Sequence, residues 1–328
     1  MCKSKKSLNG MTAIVTGGTS GMGLEIAADF AHRGGRVIVA CPFEDEGLEA
    51  KARIEKSSGS SNVVFKLLDL SSLKSVREFA SDILKTEDRL DILLNNAGVG
   101  TPGDFLTSDG MNFIMQVNYY GTFLLTLLLL PLLKKTGTPS EPGRIVNTSS
   151  VLTNYWSKIR IYGNSKLCLV MFTHELSRRL KGSNVIVHTV DPGAVGTPIF
   201  NRSGLGLSKI LTYIIAILFK HPWEGCQTAL YVCLSNTVAK SSGKVFKNLQ
   251  VTKAKKAAYD EEMWLQLWEQ SIKLVKITDE ELRACDLLPK TKITDVRDKD
   301  LNENGINWFA KKLLQNGNGV TAKSNGHG

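Results

Sequence analysis

Thr12-Ala13-Ile14-Val15-Thr16-Gly17-Gly18-Thr19-Ser20-Gly21-Met22-Gly23 decides how the rest of this 328-residue chain is read. Thr12–Thr16 is rich in β-branched residues and predicts a short strand, which the glycines end. A helical pattern over Gly21–Arg33 follows at once. Strand, glycine turn and helix N-terminus make a place where backbone amides and a helix dipole can face an anion such as a pyrophosphate. The spacing is Gly-x-x-x-Gly-x-Gly, not the commoner Gly-x-Gly-x-x-Gly. Alone, the turn is equally an ordinary tight strand–helix connection. Its meaning comes from what surrounds it.

Outward from this unit, short apolar runs keep alternating with helical patterns. Strands are expected at Arg36–Cys41, Val63–Leu68, Leu90–Leu94, Arg144–Thr148 and Val185–Val190, with a seventh at Gly243–Phe246. Helices are expected at Glu44–Lys56, Leu73–Lys85, Met111–Leu133 (closed by Pro131), Ile159–Leu180 and Ala257–Lys276. Strands that alternate with helices mean βαβ units, and near-continuous apolar strands mean a sheet covered on both faces. The fold class is therefore α/β: a single Rossmann-type, doubly wound parallel sheet with helices on both faces. No linker divides residues 1–276, which form one domain with a substrate-covering segment at about 200–220. Residues 277–328 read as a polar C-terminal extension, and Asn316–Gly328 has the Gly/Asn/Ser composition of a disordered tail.

The chemistry sits at the ends of the later strands. Tyr162-Gly163-Asn164-Ser165-Lys166 puts a phenol and an ammonium four residues apart, on one face of a helix. An ammonium beside a phenol favours phenolate and draws its pKa down from ~10. Such a tyrosine can move a proton near neutral pH. Tyr-x-x-x-Lys is common by itself. Here Arg144-Ile145-Val146-Asn147-Thr148-Ser149-Ser150 ends one strand in hydroxyls, and Leu94-Asn95-Asn96-Ala97-Gly98 ends another in small and polar residues. The carboxyl ends of strands are where open α/β sheets bind ligands.

With these elements in this order, the sequence resembles the short-chain dehydrogenase/reductase family over roughly residues 8–250, most closely its retinol-dehydrogenase-like branch. Thr16–Gly23 is similar to the family's cofactor loop, Asp69 in Leu68-Asp69-Leu70 to its adenine-contacting aspartate, and Asn95–Gly98 to its Asn-Asn-Ala-Gly motif. Asp191–Thr197 is similar to its Pro-Gly segment. The resemblance implies an NAD(P)-dependent alcohol/carbonyl oxidoreductase. It implies catalytic roles for Tyr162, Lys166, Asn118 and a serine of the Ser149–Ser150 pair. Strand register from Arg144 favours Ser150, whereas the usual serine-to-tyrosine spacing selects Ser149; Ser150 is preferred. The implied cofactor contacts are Gly17, Thr19, Ser20, Gly21, Met22, Gly23, Asp69, Leu70, Asn95, Ala97, Tyr162, Lys166, Val195 and Thr197.

Val39-Ala40-Cys41-Pro42 carries neither the acid that binds a ribose hydroxyl nor the arginine that binds a 2′-phosphate. Without an acid at that point NADP(H) is preferred over NAD(H). The apolar Leu205–Phe219 reads either as a lid for a lipophilic substrate that also touches a membrane, or as a core helix or dimer contact. The substrate expected is retinoid-, isoprenoid- or steroid-like. The resemblance also implies a homodimer through Met111–Leu133 and Ile159–Leu180, unless these helices are covered within one chain.

The net charge of +10 comes from dispersed lysines without interleaved aromatics, which excludes nucleic acid as the expected partner. Six cysteines without a Cys-x-x-Cys pair read as reduced thiols, and the scattered histidines offer no metal site. Met1–Asn9 lacks an apolar signal core, and the longest apolar runs fall short of the ~20 residues of a membrane span. A cytoplasmic location is expected, with peripheral contact to the cytosolic face of the endoplasmic reticulum or lipid droplets.

Overall fold

The computed structural model describes residues 1–100, 105–150, 160–195 and 220–287. Its centre is an eight-stranded sheet of order β3-β2-β1-β4-β5-β6-β7-β8. The strands are β1 (Thr12–Thr16), β2 (Arg36–Cys41), β3 (Val63–Leu67), β4 (Ile92–Asn95), β5 (Gly143–Thr148), β6 (Val185–Asp191), β7 (Lys244–Lys247) and β8 (Gln250–Thr252). The first seven run parallel; β8 returns antiparallel on β7. The order reverses between β1 and β4, the switch point at which ligands enter such sheets.

Strand side chains alternate between two buried layers. Ile14, Ile38, Leu93 and Ile145 face one side, towards α3 (Leu73–Thr86), α5 (Gly121–Thr136) and α6 (Arg160–Arg179). Val15, Val37, Val39 and Val146 face the other, towards α1 (Gly21–His32), α2 (Glu44–Ser58) and α7 (Pro222–Leu234). Helix α7 was not expected from the sequence. Its start was legible: Pro222 occupies the first turn, and His221 and Glu224 cap each other. The edge strand β8 was also not anticipated.

The long helix expected at Met111–Leu133 is built differently. It begins as the short α4 (Phe113–Met115), widens into a π-helical turn over Gln116–Tyr120 and continues as α5. Pro131 does not close it but lies inside α5. A proline there deprives the carbonyl four residues back, Leu127, of its helical donor. The Cys285 thiol supplies one, with Sγ 2.9 Å from Leu127 O. The whole helical stretch Phe113–Thr136 is long and apolar enough to cross a membrane by length and composition, yet 89% of its most apolar window is buried in the fold.

Part of its cover comes from the C-terminal region, which begins as a 3₁₀ turn (Lys256–Tyr259) followed by α8 (Glu261–Leu274) and α9 (Asp279–Ala284). Trp268 packs between Phe123 and Phe172, under the Arg179 guanidinium. The polar extension expected from residue 277 therefore starts too early. Ile277, Leu282, Cys285 and Leu287 belong to the core, and Arg77 pairs with Glu281. The outer side of α5 and α6, where a dimer contact was one expectation, carries α8 and α9 of the same chain. The tail expected to be disordered at Asn316–Gly328 and the apolar Leu205–Phe219 segment lie outside the described residues.

Candidate active site

Four strand ends meet at the switch point. At the end of β1, Gly17 takes φ +63°, and a Cβ there would sit 2.8 Å from Ala97 Cα. A Cβ on Gly23 would lie 2.2 Å from Gly17 O. These two positions accept only glycine, so the turn is tighter than a generic connection requires. Thr19 and Ser20 stand between them. Ser20 precedes α1 without a side-chain cap, and no acid occupies the first helical turn. The helix dipole there is left for an incoming anion, and the cradle fits a dinucleotide pyrophosphate.

The β4 end braces this loop. Thr16 Oγ1 accepts from the Asn96 and Ala97 amides at 3.0 and 3.1 Å, while Asn96 Nδ2 donates to Thr16 O and Gly17 O, each at 3.2 Å. Sequence reasoning missed Asn96 itself, although it sits within the quoted motif. Asn95 is turned inward. Its Nδ2 donates to Thr126 Oγ1 and Asn147 Oδ1, which leaves a structural brace rather than an open ligand contact. Asp69 Oδ1 accepts from the Ser71 amide and hydroxyl at 2.8 and 2.6 Å, and Leu70 is buried beside it.

The reactive cluster lies at the end of β5. Tyr162 and Lys166 are both buried, and the Lys166 ammonium is 5.8 Å from the centre of the Tyr162 ring. The Ser150 side chain hydrogen-bonds Tyr162. Ser149 points elsewhere: its hydroxyl donates to Lys166 O at 3.0 Å. Lys166 Nζ donates to Thr148 O at 3.0 Å, and burial brings its pKa down to about 8.

The Tyr162 pKa departs from the sequence expectation. Burial raises it, Asp191 adds to the rise, and the Ser150 hydrogen bond only partly opposes both. At this separation the ammonium does not overcome desolvation.

Asn118 sits in the π-helical turn, fully buried. Its amide group clasps the Val99 backbone, with Oδ1 accepting from the N–H at 2.8 Å and Nδ2 donating to the carbonyl at 3.0 Å. Nδ2 also donates to Ser165 Oγ, which donates in turn to Tyr162 O. Gly98 lies beside both groups: a Cβ there would be 3.0 Å from Lys166 Nζ and 3.3 Å from Asn118 Oδ1. Ser165 is a second residue that the sequence reading did not single out. At the β6 end, Val195 approaches Met22 across Gly225, whose Cβ would meet both side chains under 3 Å. Thr197 lies outside the described residues.

A sequence model of the family described as short chain dehydrogenase matches residues 11–206, more than half of the chain. The chain belongs to the short-chain dehydrogenase family. As a short-chain dehydrogenase it is an NAD(P)-dependent alcohol/carbonyl oxidoreductase. It is 38% identical over 292 residues to human (Homo sapiens) retinol dehydrogenase 13, covering 84% of this chain and 87% of that one. It is 38% identical over 289 residues to dehydrogenase/reductase SDR family member 13 of Bos taurus, covering 83% and 75%. Among solved structures, the RhlG/NADP active-site complex of Pseudomonas aeruginosa aligns with a TM-score of 0.63 at 26% identity, over 73% of this chain and 95% of that one. The C-terminal helices α8 and α9 fall beyond the matched family segment.

Proposed function

We propose that this dehydrogenase interconverts a lipophilic alcohol and its aldehyde or ketone, with Tyr162 exchanging the proton at the substrate oxygen. The observation that carries this reading is the Ser150–Tyr162 hydrogen bond set beside buried Lys166, at the strand ends that also form the glycine cradle.

The nicotinamide cofactor, when bound, supplies or accepts the hydride at the carbonyl carbon. Gly17, Thr19, Ser20, Gly21, Met22 and Gly23 would hold its pyrophosphate against the α1 N-terminus. Asp69, Leu70 and Ala97 would bound the adenosine side, and Val195 the nicotinamide side. Ser150 Oγ donates to the substrate oxygen and fixes its direction. Tyr162, kept as a phenol by burial, is in the form that gives a proton to a carbonyl oxygen. Lys166 remains mostly protonated at pH 7 and orients the ribose hydroxyls. Asn118 supports a water between Lys166 and solvent.

The lipophilic substrate class is supported by the apolar composition of Leu205–Phe219 and by relatives named retinol dehydrogenase. Peripheral contact with a membrane surface through that apolar segment belongs to the same proposal. The test is a turnover screen with both nicotinamide cofactors against retinoid, isoprenoid, steroid and small polar carbonyls. Turnover of long apolar aldehydes or ketones is expected. Activity confined to small polar carbonyls would refute the substrate class, and no turnover of any carbonyl or alcohol would refute the reaction.

A further inference from the structure

The turn at the end of β6, Asp191-Pro192-Gly193-Ala194-Val195, is held by residues outside both the glycine loop and the Tyr162 cluster. Asp191 Oδ1 accepts from the Gly193 amide at 2.9 Å, and Asp191 Oδ2 lies 3.5 Å from Lys247 Nζ. The Asp191 carboxylate is near enough to Tyr162 to raise the pKa of the phenol, so a shift of this turn is felt at that group. Lys220 closes the turn from its other side. It forms a parallel bridge with Val195, and its amide donates to Ala194 O at 2.9 Å. Its side chain lies over Gly193, with Nζ donating to Pro192 O at 3.3 Å and to Asn248 Oδ1 at 2.8 Å. Gly193 has φ +80°, and a Cβ there would stand 3.3 Å from Lys220 Nζ. Glycine suits this position both for its backbone and for the closeness of the ammonium.

Asn248 belongs to the edge hairpin. Two residues, Asn248 and Leu249, join β7 to β8, with Lys247 paired to Gln250. Both are left-handed, at φ +50° and +65°, the pattern of a type I′ turn whose second place usually holds glycine. Leucine is strained there. The Leu249 amide donates to Thr228 Oγ1 on α7 at 3.4 Å, which ties the turn to the body of the fold. Strain retained in a turn whose first residue reaches Lys220 points to function.

Resting on the reading of Val195 as the nicotinamide-side wall, we propose that Lys220 and Asn248 are positioning residues that fix the Asp191–Val195 turn against the nicotinamide and Tyr162. Neither touches the reacting atoms. A lysine side chain is long, flexible and strongly hydrated, so one carbonyl does not hold it. The second acceptor, Asn248 Oδ1, keeps the ammonium folded over Gly193 and on Pro192 O. With the ammonium released, the turn is pinned only by backbone bonds, and the reacting groups lose part of their alignment.

The test measures kcat and nucleotide KM with the best carbonyl substrate of the turnover screen, beside thermal unfolding of the intact protein. Asn248→Gly removes the acceptor while suiting the left-handed backbone, so the melting temperature should stay close to that of the wild type. Its kcat is expected to fall about tenfold. Nucleotide KM should change by less than about threefold, because the pyrophosphate cradle is untouched. Lys220→Met should give a similar loss, and the double variant no more than either alone, since the two residues act as one unit. Asn248→Asp keeps an acceptor in place and should restore most of kcat. Wild-type kcat in Asn248→Gly would overturn the proposal, whatever the melting temperature, as would losses that multiply in the double variant. No turnover of any carbonyl by the wild type would overturn the reading of the site, and this proposal with it.

Discussion

The two ends of the strand array treat buried polar groups in opposite ways. At the N-terminal ends, charges are buried and matched. Arg144, 1% exposed, donates to Val232 O, Ser235 O and Glu141, leaving only its Nε without a partner. Glu141 also holds Lys6, Asp91 is gripped by Arg89 and the Thr12 amide, and Glu87 holds Arg36. At the C-terminal ends, among the described residues, Lys166 is buried without a carboxylate partner and Thr148 Oγ1 has no hydrogen bond. One end is arranged for stability. The other accepts a cost in stability to keep a phenol and an ammonium in place.

That difference can be broken by substitution. Removing Arg144 leaves the Val232 and Ser235 carbonyls without their donor, so Arg144→Met should lower stability by about 2–3 kcal/mol. Per folded molecule, turnover should stay at the wild-type level; chemical denaturation with activity measured below the transition checks both. Lys166→Met should do the reverse. Activity falls by at least about a hundredfold, while the protein without nucleotide is stabilised by about 1–3 kcal/mol, because a desolvated ammonium is gone. A Lys166→Met protein that is less stable than wild type would contradict the contrast.

A titration sharpens the structural end. His188 is buried beside Phe246, accepts from the Lys244 amide, and has its pKa pushed down to about 4 by burial. Its folded pKa lies below the unfolded one of 6.5. The unfolded state therefore takes up the proton first as pH falls, and stability declines between pH 6.5 and about 4, by about 3 kcal/mol. The slope of melting temperature over that window should flatten in His188→Leu. The smallest effect concerns the serine pair. Ser149→Ala removes one buried hydrogen bond, to Lys166 O, at a cost of about 1 kcal/mol with little loss of turnover. Ser150→Ala should instead lose most of its activity and little stability. The opposite pattern would assign the substrate contact to Ser149.

The same division explains what the sequence made legible. The central strands could be read because they are apolar runs buried on both faces, and β1 and β2 fall at their expected residues. The glycine cradle and the Tyr162–Lys166 pair could be read because local spacing imposes them. Whether Pro131 breaks its helix could not, since the answer depends on a Cys285 thiol 158 residues from the Leu127 carbonyl it serves. The choice between Ser149 and Ser150 depends on which side chain turns towards Tyr162, a packing outcome with no local signal. The Tyr162 pKa direction was misjudged because helical spacing registers the ammonium but not the burial that outweighs it.

The assignment of Tyr162 as the proton-exchanging group is tested most directly by Tyr162→Phe, which deletes one oxygen and keeps the packing. Turnover of the best aldehyde or alcohol substrate and nucleotide binding should be measured on the same sample. Turnover at least about a hundredfold below wild type, with nucleotide affinity unchanged, is the predicted result. Turnover near the wild-type rate would contradict the assignment.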